Sequence, residues 1–488
     1  MKHSINVSGL VALMLLLAAC AVGPDYHAPR PLSGSLLNAH AAQGMRVEER
    51  PLEGLWWQQF DDPELDALMR RALSDNLDLQ VARARVREAR AAFRGSEYDL
   101  APHVPATAGY QHSREQVPGF GTQRYDAVGY DAGFDASWEI DLFGHVRRSV
   151  EAARDDLDAE RAALRGAQIT VAAEVARNYF ALRSTQQQIE VARHNLDNQR
   201  ESVRITTVRY ESGRGSELDV ARSRARMQAT EATLPALESA ESAGRYRLAV
   251  LLGDRPGALD EELKPHPMPA YAKALPIGDA GADAGALLSR RPDVLEAERR
   301  LAGATARVGV ATADLFPRVT VTGFVGFLSG DFSHLFSTSA GTDARAWSVS
   351  PTISWAAFDY GSLHAKLRAR RAEADESLVQ YEKTVLGALE ETENALVSYR
   401  EQQKRLASLI EQAASSRRAA DLAAVQYREG VADFLSLLDA QRTQLEAESA
   451  VAETEGEVNV SVVAIYKALG GVGQPPVAAQ LARSPPGG

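Results

Sequence analysis

From Val128 to Leu142 every even-numbered residue is apolar or aromatic: Val128, Tyr130, Ala132, Phe134, Ala136, Trp138, Ile140 and Leu142. Every odd one between them is Gly, Asp, Ser or Glu. Side chains of a strand alternate faces, so this period of two predicts a strand over about 126–142, one face in an apolar medium and one in water. Asp131, Asp135, Glu139 and Asp141 fall on the wet face. A partner strand is expected at about 104–112. The pattern returns where Trp347, Val349, Ile353 and Trp355 alternate with Ser348, Ser350, Thr352 and Ser354. That predicts strands at about 318–328 and 345–358, with Pro351 removing one ladder donor from the second.

Helical spacing fills most of the remainder. Between Gly361 and Tyr427 there is no proline and a single glycine, Gly387. From Leu363 to Ile410 the larger side chains, Leu367, Leu378, Val385, Leu389, Leu396 and Leu406 among them, recur with a mean step of about 3.6 residues. Helices are expected at about 75–99, 146–210, 216–252, 292–314, 361–428 and 433–468. The longest are rods of roughly 98 Å at 1.5 Å per residue, far longer than a compact core requires. Pro235 lies inside the third of these stretches, 216–252, where proline removes a hydrogen bond and kinks the rod.

The order of elements repeats. Trp138 and Gly144 recur 217 residues on as Trp355 and Gly361, Tyr210 and Gly213 as Tyr427 and Gly430, and Leu218 as Leu435. Leu100 and Pro102 recur as Leu315 and Pro317, at an offset of 215. A nearly constant offset over such a length reads as tandem duplication. Pro235 has Ala452 as its counterpart, so the two halves should differ in helix path. The chain divides into a leader (1–19), a first repeat with its leading segment (20–254), a linker (255–285), a second repeat (286–470) and a tail (471–488).

The N-terminus changes the picture. Lys2 and His3 precede the apolar run Leu10–Ala19, which is too short to span a bilayer and ends in Leu-Ala-Ala-Cys with the only cysteine, Cys20. This resembles the site at which bacterial lipoproteins are cleaved and acylated, and Ala21 in place of Asp points to an outer-membrane address. One cysteine excludes an internal disulfide and a thiolate metal site. The net charge of −11 argues against a nucleic-acid partner. After the leader no apolar run reaches the ~18 residues of a membrane helix. A bilayer crossing must therefore use strands.

Four two-faced strands cannot close a barrel alone, since the smallest transmembrane barrels have about 8 strands and open edges in lipid are costly. Two, three or four copies would supply 8, 12 or 16. Trp138 and Trp355 suit the lipid face as interfacial aromatics.

The segments following Cys20, "AVGPDYHAP", with "WWQQFDDPELDALMRRAL", "SWEIDLFG", "RPDVLEAERRL", "FPRVTVTG" and "LLDAQRTQLEAE", resemble the TolC-like outer-membrane factors, specifically the NodT-type efflux lipoproteins. The resemblance covers essentially the whole mature chain. It implies an α+β membrane protein forming a homotrimer. A 12-stranded β-barrel, four strands per chain, would be continued by a long periplasmic α-helical barrel with a mixed equatorial domain. It also implies an exit channel in the outer membrane, lipid-anchored at Cys20 and docked to a periplasmic adaptor (membrane fusion) protein and an inner-membrane pump of resistance-nodulation-division type. Tyr210, Gly213, Tyr427 and Gly430 fall at the helix-turn-helix tips where the adaptor would dock. Leu435 and Asp439, one helical turn apart, fall where the family's resting channel is narrowest. Asp439 could alternatively pair with Arg442 on a solvated face.

No HExxH, GxSxG or P-loop is present, and the ten histidines show no metal-ligand spacing. No enzyme activity, cofactor or metal is therefore expected, and energy for transport would come from a partner. Two other readings stay open at this point: a duct for protein secretion, and a coiled-coil envelope lipoprotein without a pore.

Overall fold

The computed structural model describes residues 21–29, 55–116, 124–269, 288 and 290–471. The leader, Cys20 and the tail beyond Gly471 lie outside the described residues, as does most of the linker from Ala270. The chain is mostly helical with one small sheet. Its contacts divide it into two units, the first built from 84–161 and 296–383 with the N-terminal segment, the second from 30–83, 162–295 and 384–488.

In chain order the elements are α1 (Pro63–Asp75), α2 (Leu77–Tyr98), β1 (Ala106–Gln116), β2 (Arg124–Ile140), α3 (His145–Glu211), α4 (Glu217–Glu231) and α5 (Leu234–Leu251). The second half continues with α6 (Pro292–Ala313), β3 (Arg318–Ser329), β4 (Arg345–Ser354), α7 (Tyr360–Glu429) and α8 (Phe434–Ala468).

The first unit carries the sheet, antiparallel in the order β1-β2-β3-β4. Directly paired residues share a face, and the register joins the apolar sets of all four strands. Ala106 pairs with Phe134, Phe134 with Val325 and Val325 with Trp347. On the other face Glu139 pairs with Thr320 and Thr320 with Thr352, while Ser137 pairs with Thr322 and Thr322 with Ser350. The alternation read in β2 therefore extends across the whole sheet. Phe134, Val325 and Trp347 are 55%, 60% and 78% exposed, a row of large apolar side chains left uncovered by the described residues. β1 and β4 have no second neighbour, and Pro351 sits on the outer strand β4, where a missing N–H is tolerated.

The core of the second unit gathers Trp56, Trp57 and Phe60, the buried face of α1, Tyr179 and Phe180 of α3, and Val462, Ile465 and Tyr466 of α8. Trp56 stacks on Tyr466 with centroids 5.1 Å apart. Asp62 starts α1 by accepting from the N–H groups of Glu64 and Leu65 at 2.9 and 3.2 Å, with Pro63 at the first turn.

One helix was not foreseen and one expectation needs correction. The helix expected at about 75–99 is α2, Leu77–Tyr98, whereas α1 ahead of it was not foreseen and ends at Asn76, whose backbone has ψ 130°. The Asn76 side chain donates to the Leu251 carbonyl (2.8 Å) and accepts from the Leu79 N–H (3.0 Å), so it closes the end of α5 while opening α2. Arg291, at the matching place of the second repeat, donates to the Ala468 carbonyl at the end of α8 (2.6 Å). The stretch 216–252 is two helices rather than one kinked rod. Pro235 falls in the first turn of α5, after a break at Ala232 and Thr233, because that turn needs no donor from it. Its counterpart Ala452 lies fully buried within unbroken α8.

Candidate functional site

In the second unit, α3 and α7 each end in a glycine turn. Gly213 has φ +71° and Gly430 has φ +77°, a region that carries a steric penalty for any residue with a Cβ. The Arg214 N–H reaches back to the Arg209 carbonyl (2.8 Å) and the Val431 N–H to the Gln426 carbonyl (2.9 Å), bonds that satisfy the last helical carbonyls. Each following helix is capped by a side chain. Ser216 and Asp219 form a reciprocal capping box for α4, and Asp433 accepts from the Ser436 N–H (2.8 Å) for α8.

The two turns are tied together by a residue that sequence reasoning missed. The Arg209 guanidinium lies 4.7 Å from the centroid of the Tyr427 ring and donates to the Tyr427 carbonyl, which also accepts from the Gly430 N–H at 3.1 Å. Tyr427 is buried against Phe434 and Leu437, whereas Tyr210, its partner by repeat, is 46% exposed. Burial pushes the Tyr427 phenol up from its ordinary value. Identical letters at matching places thus serve different ends: Tyr427 packs and Tyr210 faces out.

Leu435 and Asp439 occupy the first turns of α8. Leu435 is 54% exposed, and Asp439 accepts from Arg442 Nη2 at 2.9 Å on an exposed face. The pairing foreseen as the alternative is therefore present. In the first repeat Leu218 is 55% exposed and Arg222 stands where Asp439 would be, so the acidic residue is unique to α8.

Below the turns α3 and α8 also meet through polar groups. Gln441 donates to Ser202 (2.9 Å), and Asn195 to buried Glu448 (3.1 Å). Glu448 also accepts from Gln444 (3.1 Å) and Arg417 (2.8 Å). Burial disfavours its charge, but the hydrogen bonds from Gln444, Arg417 and Asn195 outweigh that and hold the carboxyl below its usual range. The signal was available: Gln441, Gln444 and Glu448 are polar residues at the three- and four-residue steps of a helix face.

In the first unit the Trp138 indole donates to the Leu100 carbonyl (3.1 Å) and the Trp355 indole to the Leu315 carbonyl (3.0 Å). The repeated Trp and Leu thus form the same contact twice, strand end to the residues just before the preceding strand. Among the described residues no group of three or more His, Cys, Asp and Glu side chains could hold a metal ion, and no helix is long and apolar enough to cross a membrane.

The sequence pattern of the family described as "Outer membrane efflux protein" matches residues 68–254 and again 284–471, so the two matches lie 216 to 217 residues apart, as the repeats do. The antibiotic efflux pump outer membrane protein ArpC of Pseudomonas putida is 31% identical over 472 residues, 96% of this chain and 95% of its own length. Nodulation protein T of Rhizobium leguminosarum bv. trifolii is 28% identical over 95% of this chain and 97% of its own. Among solved structures, the outer-membrane channel OprN superposes with a TM-score of 0.87 at 47% identity, covering 93% of this chain and 99% of that one. The chain belongs to the outer membrane efflux protein family.

Proposed function

We propose that this protein is the outer-membrane exit channel of a tripartite efflux system, passively conducting drugs or other small molecules to the exterior. The observation that carries the reading is the sheet: four strands sharing one exposed apolar face, with both edges open. In hydrocarbon each unpaired edge amide or carbonyl costs several kcal/mol, so the sheet is stable there only when closed by other copies. Three copies give a 12-stranded barrel, and the long helices α3 and α7 would build the periplasmic tube of the family's architecture. Trp138 and Trp355 then stand on the lipid face, with Asp131, Asp135 and Glu139 toward water.

Cys20 is read as the acylated N-terminus, tethering the protein to the outer membrane. The turns at Gly213 and Gly430, with Tyr210 exposed beside them, are read as docking points for the periplasmic adaptor, behind which stands an inner-membrane pump of resistance-nodulation-division type. Leu435 and Asp439 are read as the narrow rings of the resting channel. The chain performs no bond chemistry in this scheme, and its cycle is driven by the pump. Purified protein in planar bilayers should show discrete single-channel steps, and a strain lacking the gene should accumulate pump substrates. Bilayers that stay silent at high protein load refute the channel.

A further inference from the structure

The residues immediately after Cys20 are seated rather than loose. The Val22 N–H donates to the Phe143 carbonyl (3.0 Å) at the turn from β2 into α3. Gly144 in that turn has φ +87°, and a Cβ there would lie 2.8 Å from the Ala21 methyl. Gly23, at φ +94°, lies so close to α6 that a Cβ would stand 2.6 Å from the Gly309 Cα, and a Cβ on Gly309 would meet Arg148 at 2.9 Å. Three glycines therefore let this segment sink to backbone contact.

Charge then locks it. The Arg148 side chain is 6% exposed and donates to Asp25 (2.6 Å) and Glu151 (2.8 Å). One residue on, Tyr26 donates to Glu298 (3.3 Å), and the Arg299 guanidinium lies 5.6 Å from its ring centroid. Gly23 and Pro24 form one side of a cleft completed by Thr305 and Val308 of α6 and Arg371 and Asp375 of α7.

We infer that Ala21–Pro29 is a positioning strap that fixes the start of the mature chain at the sheet-to-helix turn, so that an anchor attached ahead of Ala21 enters lipid beside the sheet. The membrane consequence rests on the acylation of Cys20, but the strap itself does not. Nine loose extended residues would let a tether roam up to about 30 Å. Seated, the strap removes that freedom. Asp25 and Tyr26 act here through Arg148 and Arg299 and are positioning residues for the tether.

The test is a spin-label distance between Pro24→Cys and Asp375→Cys in the full chain, purified and reconstituted in phospholipid vesicles. The parent pair should give one narrow distance peak. Asp25→Ala with Tyr26→Phe should lose that peak to a broad distribution, and Asp25→Glu should restore it, which a general loss of packing would not do. If the double variant fails to insert, Asp25→Ala alone is measured in its place. A broad distribution in the parent, or the same narrow peak in the Asp25→Ala variants, overturns the strap. A third label on Cys20 would show a free thiol and sink the acylation reading, while the 24–375 distance still decides the strap.

Discussion

Asp439 and Asp155 show how differently an exposed and a buried carboxylate can matter. The Asp439 carboxylate pairs with Arg442 on an exposed face, so the pair adds little to stability. In the channel proposed above its weight would lie in conduction: three copies around an axis would place three carboxylates where the pore is narrow, repelling one another and attracting cations. Replacing Leu435 and Asp439 with Ala should raise single-channel conductance and weaken cation preference, because Arg442 is left unpaired near the opening. Conductance and reversal potential in a salt gradient measure both, and parental values for the double variant would place the gate elsewhere. Asp155 instead is pushed up to about 6, chiefly by burial, with Arg299 at 3.3 Å opposing and Glu151 and Asp158 adding to the rise. A carboxyl raised on folding stabilises the native state most when protonated, and that stabilisation is lost as pH rises from its unfolded value, about 4, through 6. Asp155→Asn should therefore change the pH dependence of the unfolding midpoint between about pH 4 and 6, flattening the decline seen in the parent. Parallel pH profiles for parent and variant would refute this.

At the scale of elements, alternation and glycine placement were legible in advance, and breaks governed by tertiary partners were not. Strict period two from Val128 marks β2 because lipid or core on one face and water on the other leave no room for error. Gly213 and Gly430 mark helix ends because the left-handed backbone is costly for other residues. Asn76 gave no such warning of a helix before it: it separates α1 from α2, and its side chain donates to the Leu251 carbonyl, 175 residues away. Arg209 was invisible for the same reason, as its partner Tyr427 lies in the other repeat. The polar contacts of α3 with α8 were not foreseen for the same reason, since Gln441 and Glu448 find Ser202 and Asn195 in the other repeat. At the turns the two glycines should behave alike in backbone terms. A Cβ at Gly213 meets nothing within 4 Å and at Gly430 only Arg209, at 3.7 Å, so the cost of Ala is the left-handed conformation, about 1–2 kcal/mol each. Gly213→Val and Gly430→Val should cost more and lower cross-linking to the adaptor while leaving the amount of assembled oligomer normal. Unchanged cross-linking would leave these turns a purely structural role.

On the scale of the whole molecule the open edges bear on the assembly proposed above. In the order β1-β2-β3-β4 neighbouring strands alternate in direction, so β4 runs opposite to β1. Rotating one chain about a common axis would bring its β4 beside the β1 of the next, antiparallel, and the ring would close head to tail with no edge left. A two-fold pairing of like edges, β1 with β1 or β4 with β4, would also give antiparallel neighbours, and two such contacts would close a ring of two. The arrangements differ in which residues meet. Gln111 of β1 pairs with Gly129 on the wet face, and Ala346, Ser348, Ser350 and Thr352 stand on that same face of β4. Gln111→Cys alone should give no disulfide in the head-to-tail ring. Combined in turn with cysteine at 346, 348, 350 and 352, it should give covalent dimers and closed trimers at the one position matching the register between chains. Oxidation in outer membranes, read on denaturing gels, makes the choice. A strong dimer band from Gln111→Cys alone would favour like edges and a ring of two, and overturn the barrel of three.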